Sequence, residues 1–98
     1  MIETANGEIK EKIIGILTSL FSDSGVDTDI LEYVDLIDDL GMDSINFVSL
    51  IIELEATFDV QFPDEWLLME KFRTFSQIYS AVYVLINEKG TGTSNAGQ

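Results

Sequence analysis

Three stretches of the chain repeat apolar residues at helical spacing. Ile9, Ile13, Ile16 and Leu20 recur at intervals of four, three and four, with Leu17 widening the stripe and Glu8, Glu11 and Lys12 off it. This predicts a helix over 8–22, capped by Asn6 and stopped at Ser22-Asp23-Ser24-Gly25. Phe47, Ile51, Leu54 and Phe58 predict a second helix over 44–58, and Phe75, Ile78, Val82 and Leu85 a third over 75–88. Thr74 with Gln77 is a capping box for the third helix, and Lys89-Gly90 supplies its end. Between them, Pro63 to Met69 reads as a short helix opened by Pro and Asp. Alternation at period two is confined to Val60-Gln61-Phe62, too little for a sheet, so the fold class is all-α.

The remaining stretch, 23–43, is a long loop pinned by Ile30, Leu31, Val34, Leu36, Ile37 and Leu40, with one helical turn expected near 30–36. Residues 1–7 are a lead-in, 8–89 one domain, and 90–98 a small, polar and flexible tail.

Composition narrows the chemistry. The 98 residues hold no histidine and no cysteine, which removes the usual zinc ligand sets, a thiol nucleophile and a Ser-His-Asp triad. The net charge of −13 opposes phosphate backbones and anionic lipid, so neither nucleic acid nor a membrane surface is an expected partner. No apolar run approaches the roughly 20 residues of a membrane span. The early acid Glu3 and the lack of an apolar run after Met1 speak against a secretory signal, and the absence of cysteine suits the cytoplasm. From Ile13 to Met69 there is no Lys or Arg against thirteen acids. Such crowding is expected to raise carboxylate pKa values, and it offers a docking face to basic partners.

Two acidic chemistries fail on inspection. No register starting at Asp23, Asp27 or Asp35 places oxygen ligands and glycine where a calcium-binding loop needs them. Asp38-Asp39 and Glu53/Glu55 are carboxylate pairs, but a domain this small leaves little room for the cleft that glycoside-type catalysis requires. No metal site and no enzyme activity are expected.

Ser44 stands where the second helix begins. A serine there serves as a plain cap. The same helix terminus, with its free N–H groups and positive dipole end, would equally stabilise a phosphate carried on that hydroxyl. A second apolar stripe, Ile45, Val48 and Ile52, lies roughly 120° from the first on the helical wheel. It is either a second buried face of a central helix or a partner-binding strip beside Ser44, flanked by Glu53.

Gly41-Met42-Asp43-Ser44-Ile45 resembles the Gly-x-Asp-Ser-Leu/Ile signature of acyl carrier proteins, the phosphopantetheine-binding carrier family. Leu40, Glu53-Leu54-Glu55, Phe58, Val60-Gln61-Phe62-Pro63-Asp64 and Phe72-Arg73-Thr74 also fall where that family has similar residues, over residues 8–88. The resemblance implies a four-helix bundle with a long first loop and a short third helix. It implies that a holo-synthase, a phosphopantetheinyl transferase working with magnesium, attaches 4′-phosphopantetheine from coenzyme A to Ser44, with Asp43 beside it near the magnesium. The imported thiol then carries an acyl or aminoacyl group as a thioester to loading, condensing or transferring enzymes with basic docking patches. Such a carrier is a monomer and not a catalyst.

Some positions depart from the fatty-acid members of that family. Asn46, Ser49, Ala56 and Thr57 are uncharged where those members concentrate acids, Asp59 replaces a common glycine, and Trp66 to Lys71 is longer and more apolar. These favour a polyketide, hybrid peptide or aminoacyl-transfer pathway over fatty-acid synthesis. The reading from a different class is a small acidic interaction module in which Ser44 is only a cap.

Overall fold

The computed structural model describes the backbone of residues 2–22, 25 and 27–95, and the side chains of 7–22, 25 and 27–88. Three α-helices make the fold: α1 (Ile2–Leu20), α2 (Ser44–Phe58) and α3 (Phe75–Asn95). Short 3-10 turns occupy Thr28–Ile30, Asp64–Trp66 and Met69–Phe72, and no strand occurs among the described residues.

The apolar stripes meet in one core. α1 packs against both α2 and α3. Ile13 and Leu17 of α1, Leu50 and Leu54 of α2, and Ile78 and Val82 of α3 are fully enclosed. Each such side chain contributes roughly 1.5–3 kcal/mol by leaving water. Phe72, from the last 3-10 turn, fills the space beside α2. Its ring lies 5.6 Å from that of Phe47 and 5.2 Å, edge-on, from that of Phe62. Of the residues expected to pin the long loop, Leu31 and Leu36 are buried, Val34, Ile37 and Leu40 pack partly buried against the core, and Ile30 is exposed; Met42 is buried as well. Among the described residues no polar or charged side chain is buried.

Several boundaries differ from the sequence expectation. α1 begins at Ile2 rather than at residue 8, so Asn6 lies inside the helix and does not cap it. α3 runs through Gly90 to Asn95 instead of ending there. Both differences have one cause: the apolar stripe marks where a helix is packed, while an existing helix gains a hydrogen bond for each residue added beyond it. The proposed stop residues Asp23 and Ser24, and the last three residues of the expected flexible tail, lie outside the described residues.

The short helix expected over 63–69 is two 3-10 turns. Leu67 (φ −84°, ψ 62°) and the extended Leu68 separate them. Among the described residues there are therefore three α-helices, with 3-10 turns standing where the short third helix of a four-helix bundle was expected. In the long loop the regular turn falls at Thr28–Ile30 rather than 30–36. On α2, Leu50 is fully buried although it lies outside the expected stripe, and Phe47 and Phe58 are only half-buried.

Two local expectations appear in the geometry. Gln77 N–H donates to Thr74 Oγ1 (3.2 Å), and Gln77 Oε1 accepts from Thr74 N–H (3.2 Å), which is the capping box of α3. Asp59, the glycine replacement, ends α2 in the left-handed region at φ 54° and ψ 50°, a conformation Asp tolerates better than most residues.

Candidate functional site

The site is built where the long loop turns into α2. Gly41 closes the loop at φ +70°, a conformation that favours glycine. Its N–H donates to the Ile37 carbonyl (3.1 Å), and Met42 N–H donates to the Leu36 carbonyl (2.8 Å). The Met42 side chain is buried, which anchors the chain two residues before Ser44.

Asp43 then caps the helix. Its backbone is extended (φ −114°, ψ −175°), its Oδ1 accepts from Asn46 N–H at 2.8 Å, and Asn46 Oδ1 accepts from Asp43 N–H at 3.3 Å. The first intrahelical bond runs from Phe47 N–H to the Asp43 carbonyl. The cap reading of Ser44 is therefore corrected by one residue. Ser44 is the first helical position, exposed, and its hydroxyl makes no hydrogen bond among the described residues. The reciprocal Asp-Asn pair satisfies the cap and leaves that hydroxyl without a structural duty. The N–H groups of Ser44 and Ile45 belong to the first turn, which has no intrahelical carbonyl to serve, and they favour an anionic group beside them. A phosphodiester on Ser44 Oγ fits these surroundings.

The second stripe of α2 faces solvent. Ile45 is 76% exposed, Val48 54% and Ile52 58%, while Leu50, Ile51 and Leu54 turn to the core. Of the two readings left open, burial is the one the structure rejects. Glu53 beside the strip is also exposed. Asp43, Ser44, Ile45, Val48, Ile52 and Glu53 thus share one accessible helix, its N-terminal end carrying the free hydroxyl.

Sequence reasoning missed the fastening of this loop. Arg73, at the foot of α3, places Nε 2.7 Å from Asp35 Oδ2 and Nη2 3.1 Å from Asp38 Oδ2. The Arg73 hydrogen bond, helped by the Asp38 backbone N–H and partly opposed by desolvation, holds the Asp35 carboxyl below its ordinary range. This is opposite in sign to the upward shifts expected from crowded acids. The available signal was faint: Arg73 is one of only five bases, but no local rule pairs it with acids so far away in the chain. Among the described residues no group of three or more acids is placed to hold a metal ion, and no helix is long and apolar enough to cross a membrane.

Comparison with known proteins accords with this geometry. The family described as "Phosphopantetheine attachment site" matches residues 8–82, a span that takes in α2 and both of its flanking loops. Proteins named "Acyl carrier protein" are also similar to this chain. The one from Chlorobium phaeobacteroides is 49% identical over 59 residues, covering 59% of this chain and 72% of that protein. The one from Syntrophobacter fumaroxidans is 39% identical over 69 residues, covering 69% of this chain and 79% of its own. No solved structure gives a significant match. With an all-α fold, a free serine at a helix start and a family match across most of its length, the chain belongs to the phosphopantetheine-attachment family of acyl carrier proteins, which carry groups and do not catalyse.

Proposed function

We propose that Ser44 is the residue to which 4′-phosphopantetheine is attached, and that this chain presents thioester-bound acyl or aminoacyl groups to partner enzymes. The observation that carries this reading is the identity of the cap. Because Asp43 and Asn46 satisfy the helix start, the adjacent serine hydroxyl is exposed and uncommitted. The interaction-module alternative needed Ser44 as a structural cap, and it loses that premise.

In the attachment step the Ser44 oxygen bonds to the phosphorus of the arm, and the pyrophosphate bond of coenzyme A breaks. The nucleotide half leaves with the electron pair, and the hydroxyl proton passes to a base of the transferase. The arm supplies the thiol that this cysteine-free chain lacks. Asp43 orients the helix start and adds negative charge beside the site, where magnesium and the transferase's basic surface approach. Ile45, Val48 and Ile52 supply apolar contact area for the partner, with Glu53 as an ionic guide at its edge.

The uncharged Asn46, Ser49, Ala56 and Thr57 on α2 favour partners that read apolar shape more than dense charge. That supports a specialised polyketide, hybrid peptide or aminoacyl-transfer pathway over bulk fatty-acid synthesis. The chain acts as a monomer in the cytoplasm, where coenzyme A and the transferase are available.

The test is intact mass and peptide mapping after incubation with coenzyme A, magnesium and a promiscuous phosphopantetheinyl transferase. One arm is expected on wild type, mapped to Ser44, and none on Ser44→Ala. Ser49, Ser76 and Ser80 serve as internal controls. An arm on another serine, or wild type left bare by several transferases, would overturn the assignment.

A further inference from the structure

The exposed Ser44 hydroxyl has no hydrogen bond of its own, so only its backbone fixes its position. That backbone continues from residues 35–43, which have one basic anchor among the described residues, Arg73. Arg73 grips this segment at three points: Nε on Asp35, Nη2 on Asp38, and its carbonyl accepting Leu36 N–H at 2.6 Å. Asp35 passes the constraint on. Its Oδ1 accepts from Ile37 N–H (2.9 Å) and Asp38 N–H (2.8 Å), and its own N–H donates to Asp39 Oδ2 (2.7 Å). Leu36, tied to Arg73 through its N–H, accepts from Met42 N–H through its carbonyl. Asp43 and Ser44 follow directly.

The other side of Arg73 is equally fixed. Its N–H and that of Thr74 both donate to Gln77 Oε1 of α3 (3.0 and 3.2 Å). The preceding residue, Phe72, is buried against Phe47 of α2. A guanidinium fork suits this place because two carboxylates on one loop must be held by donors in fixed relative positions, which a lysine ammonium does not provide.

We infer that Arg73 is a positioning residue for arm attachment: through Asp35 and Asp38 it holds residues 35–43 so that Ser44 is presented in one geometry to the incoming phosphoryl group. The inference rests on Ser44 being the acceptor. On the proposed function docking falls to the α2 strip, whereas the hydrogen bonds and ion pairs of Arg73 go to Asp35, Asp38, Leu36 and Gln77, so the clamp acts on turnover and not on encounter.

The experiment measures arm attachment by intact mass, at varied carrier concentration, for wild type, Arg73→Gln, Asp35→Asn, the double variant and Asp38→Asn. Amide exchange at Leu36 and Met42 is followed alongside. Asparagine at position 35 keeps an acceptor for the Ile37 and Asp38 N–H groups and replaces the oxygen that faces Arg73 Nε with an amide NH2, which cannot accept. Arg73→Gln and Asp35→Asn should each lower kcat about ten- to a hundredfold with KM unchanged. The double variant should be no slower than the worse single one, and Met42 exchange should quicken in all three. A folded Arg73→Gln protein modified at the wild-type rate overturns the inference. Losses that multiply in the double variant, or a raised KM at unchanged kcat, also overturn it. Should Arg73→Gln fail to fold, Asp38→Asn decides, since that carboxylate is largely exposed: a lower kcat at constant KM supports the clamp, and wild-type kinetics removes it. Wild type that takes no arm at Ser44 ends both readings, whereas a modified wild type with indifferent variants ends only this one.

Discussion

Arg73 and Asp35 stand 38 positions apart in the chain and meet with the guanidinium Nε 2.7 Å from the carboxylate Oδ2. Their side chains are only 31% and 27% exposed, so the contact is shielded more than an ordinary surface pair, though not removed from water. It joins the segment that leads into α2 to the foot of α3.

The pH response follows from this pair. The Asp35 carboxyl lies below its ordinary value of 3.8 in the folded protein. The unfolded chain therefore binds more protons at this group through the acid range, and stability rises with pH there. The contribution is fully present above the unfolded pKa and is lost as pH falls through the folded one. Thermal melts of wild type and Asp35→Asn should differ at neutral pH and converge in acid. A gap that stays constant down to about pH 2 would show that the charge of Asp35 is not its source.

The two residues at the helix start should separate cleanly. Asp43→Ala removes the cap and is expected to cost about 0.5–2 kcal/mol in a denaturant melt. Ser44→Ala replaces an unbonded side chain at the first helical position and should shift stability by no more than about 0.5 kcal/mol. Equal losses in the two variants would mean that the cap is shared.

The two faces of α2 give a second contrast. Leu50→Ala opens the core and should cost about 2–5 kcal/mol. Ile45→Ala should leave the melt nearly unchanged and slow arm attachment, because its side chain lies in solvent until a partner covers it. Comparable destabilisation by both would make the strip part of the core and refute its role in docking.

Phe72 tests the junction between the 3-10 turns and α2. Its ring is 1% exposed and contacts both Phe47 and Phe62. Phe72→Ala should cost about 3–5 kcal/mol, and Phe72→Leu clearly less. Chemical denaturation read by Trp66 fluorescence measures both.

Much of this molecule was legible one residue at a time. The spacing of Ile9, Ile13 and Ile16, and of Phe75, Ile78 and Val82, follows from the pitch of a helix that buries one face, so it located α1 and α3 without reference to anything else. The Thr74–Gln77 box and the left-handed turn at Asp59 depend on groups within a few residues of each other, and so does the Gly-x-Asp-Ser run that marked the family. What lay beyond reach needed the relative placement of whole elements. On α2, two apolar stripes are equivalent in sequence, and only the packing of α1, Phe72 and α3 decides that Leu50 is enclosed while Ile45, Val48 and Ile52 stay wet. The cap turned on one residue, because Asp43 and Ser44 are both good caps and the choice depends on the direction in which the buried Met42 brings the chain to the helix. Arg73 finds Asp35 and Asp38 because the core aligns α3 beside the loop, and that alignment is a sum over many burials rather than a property of any pair. Periodicity and capping arise from local backbone geometry and are written in the sequence; partners distant in the chain are chosen by the collective cost of leaving apolar surface in water, which exists only once the helices are assembled.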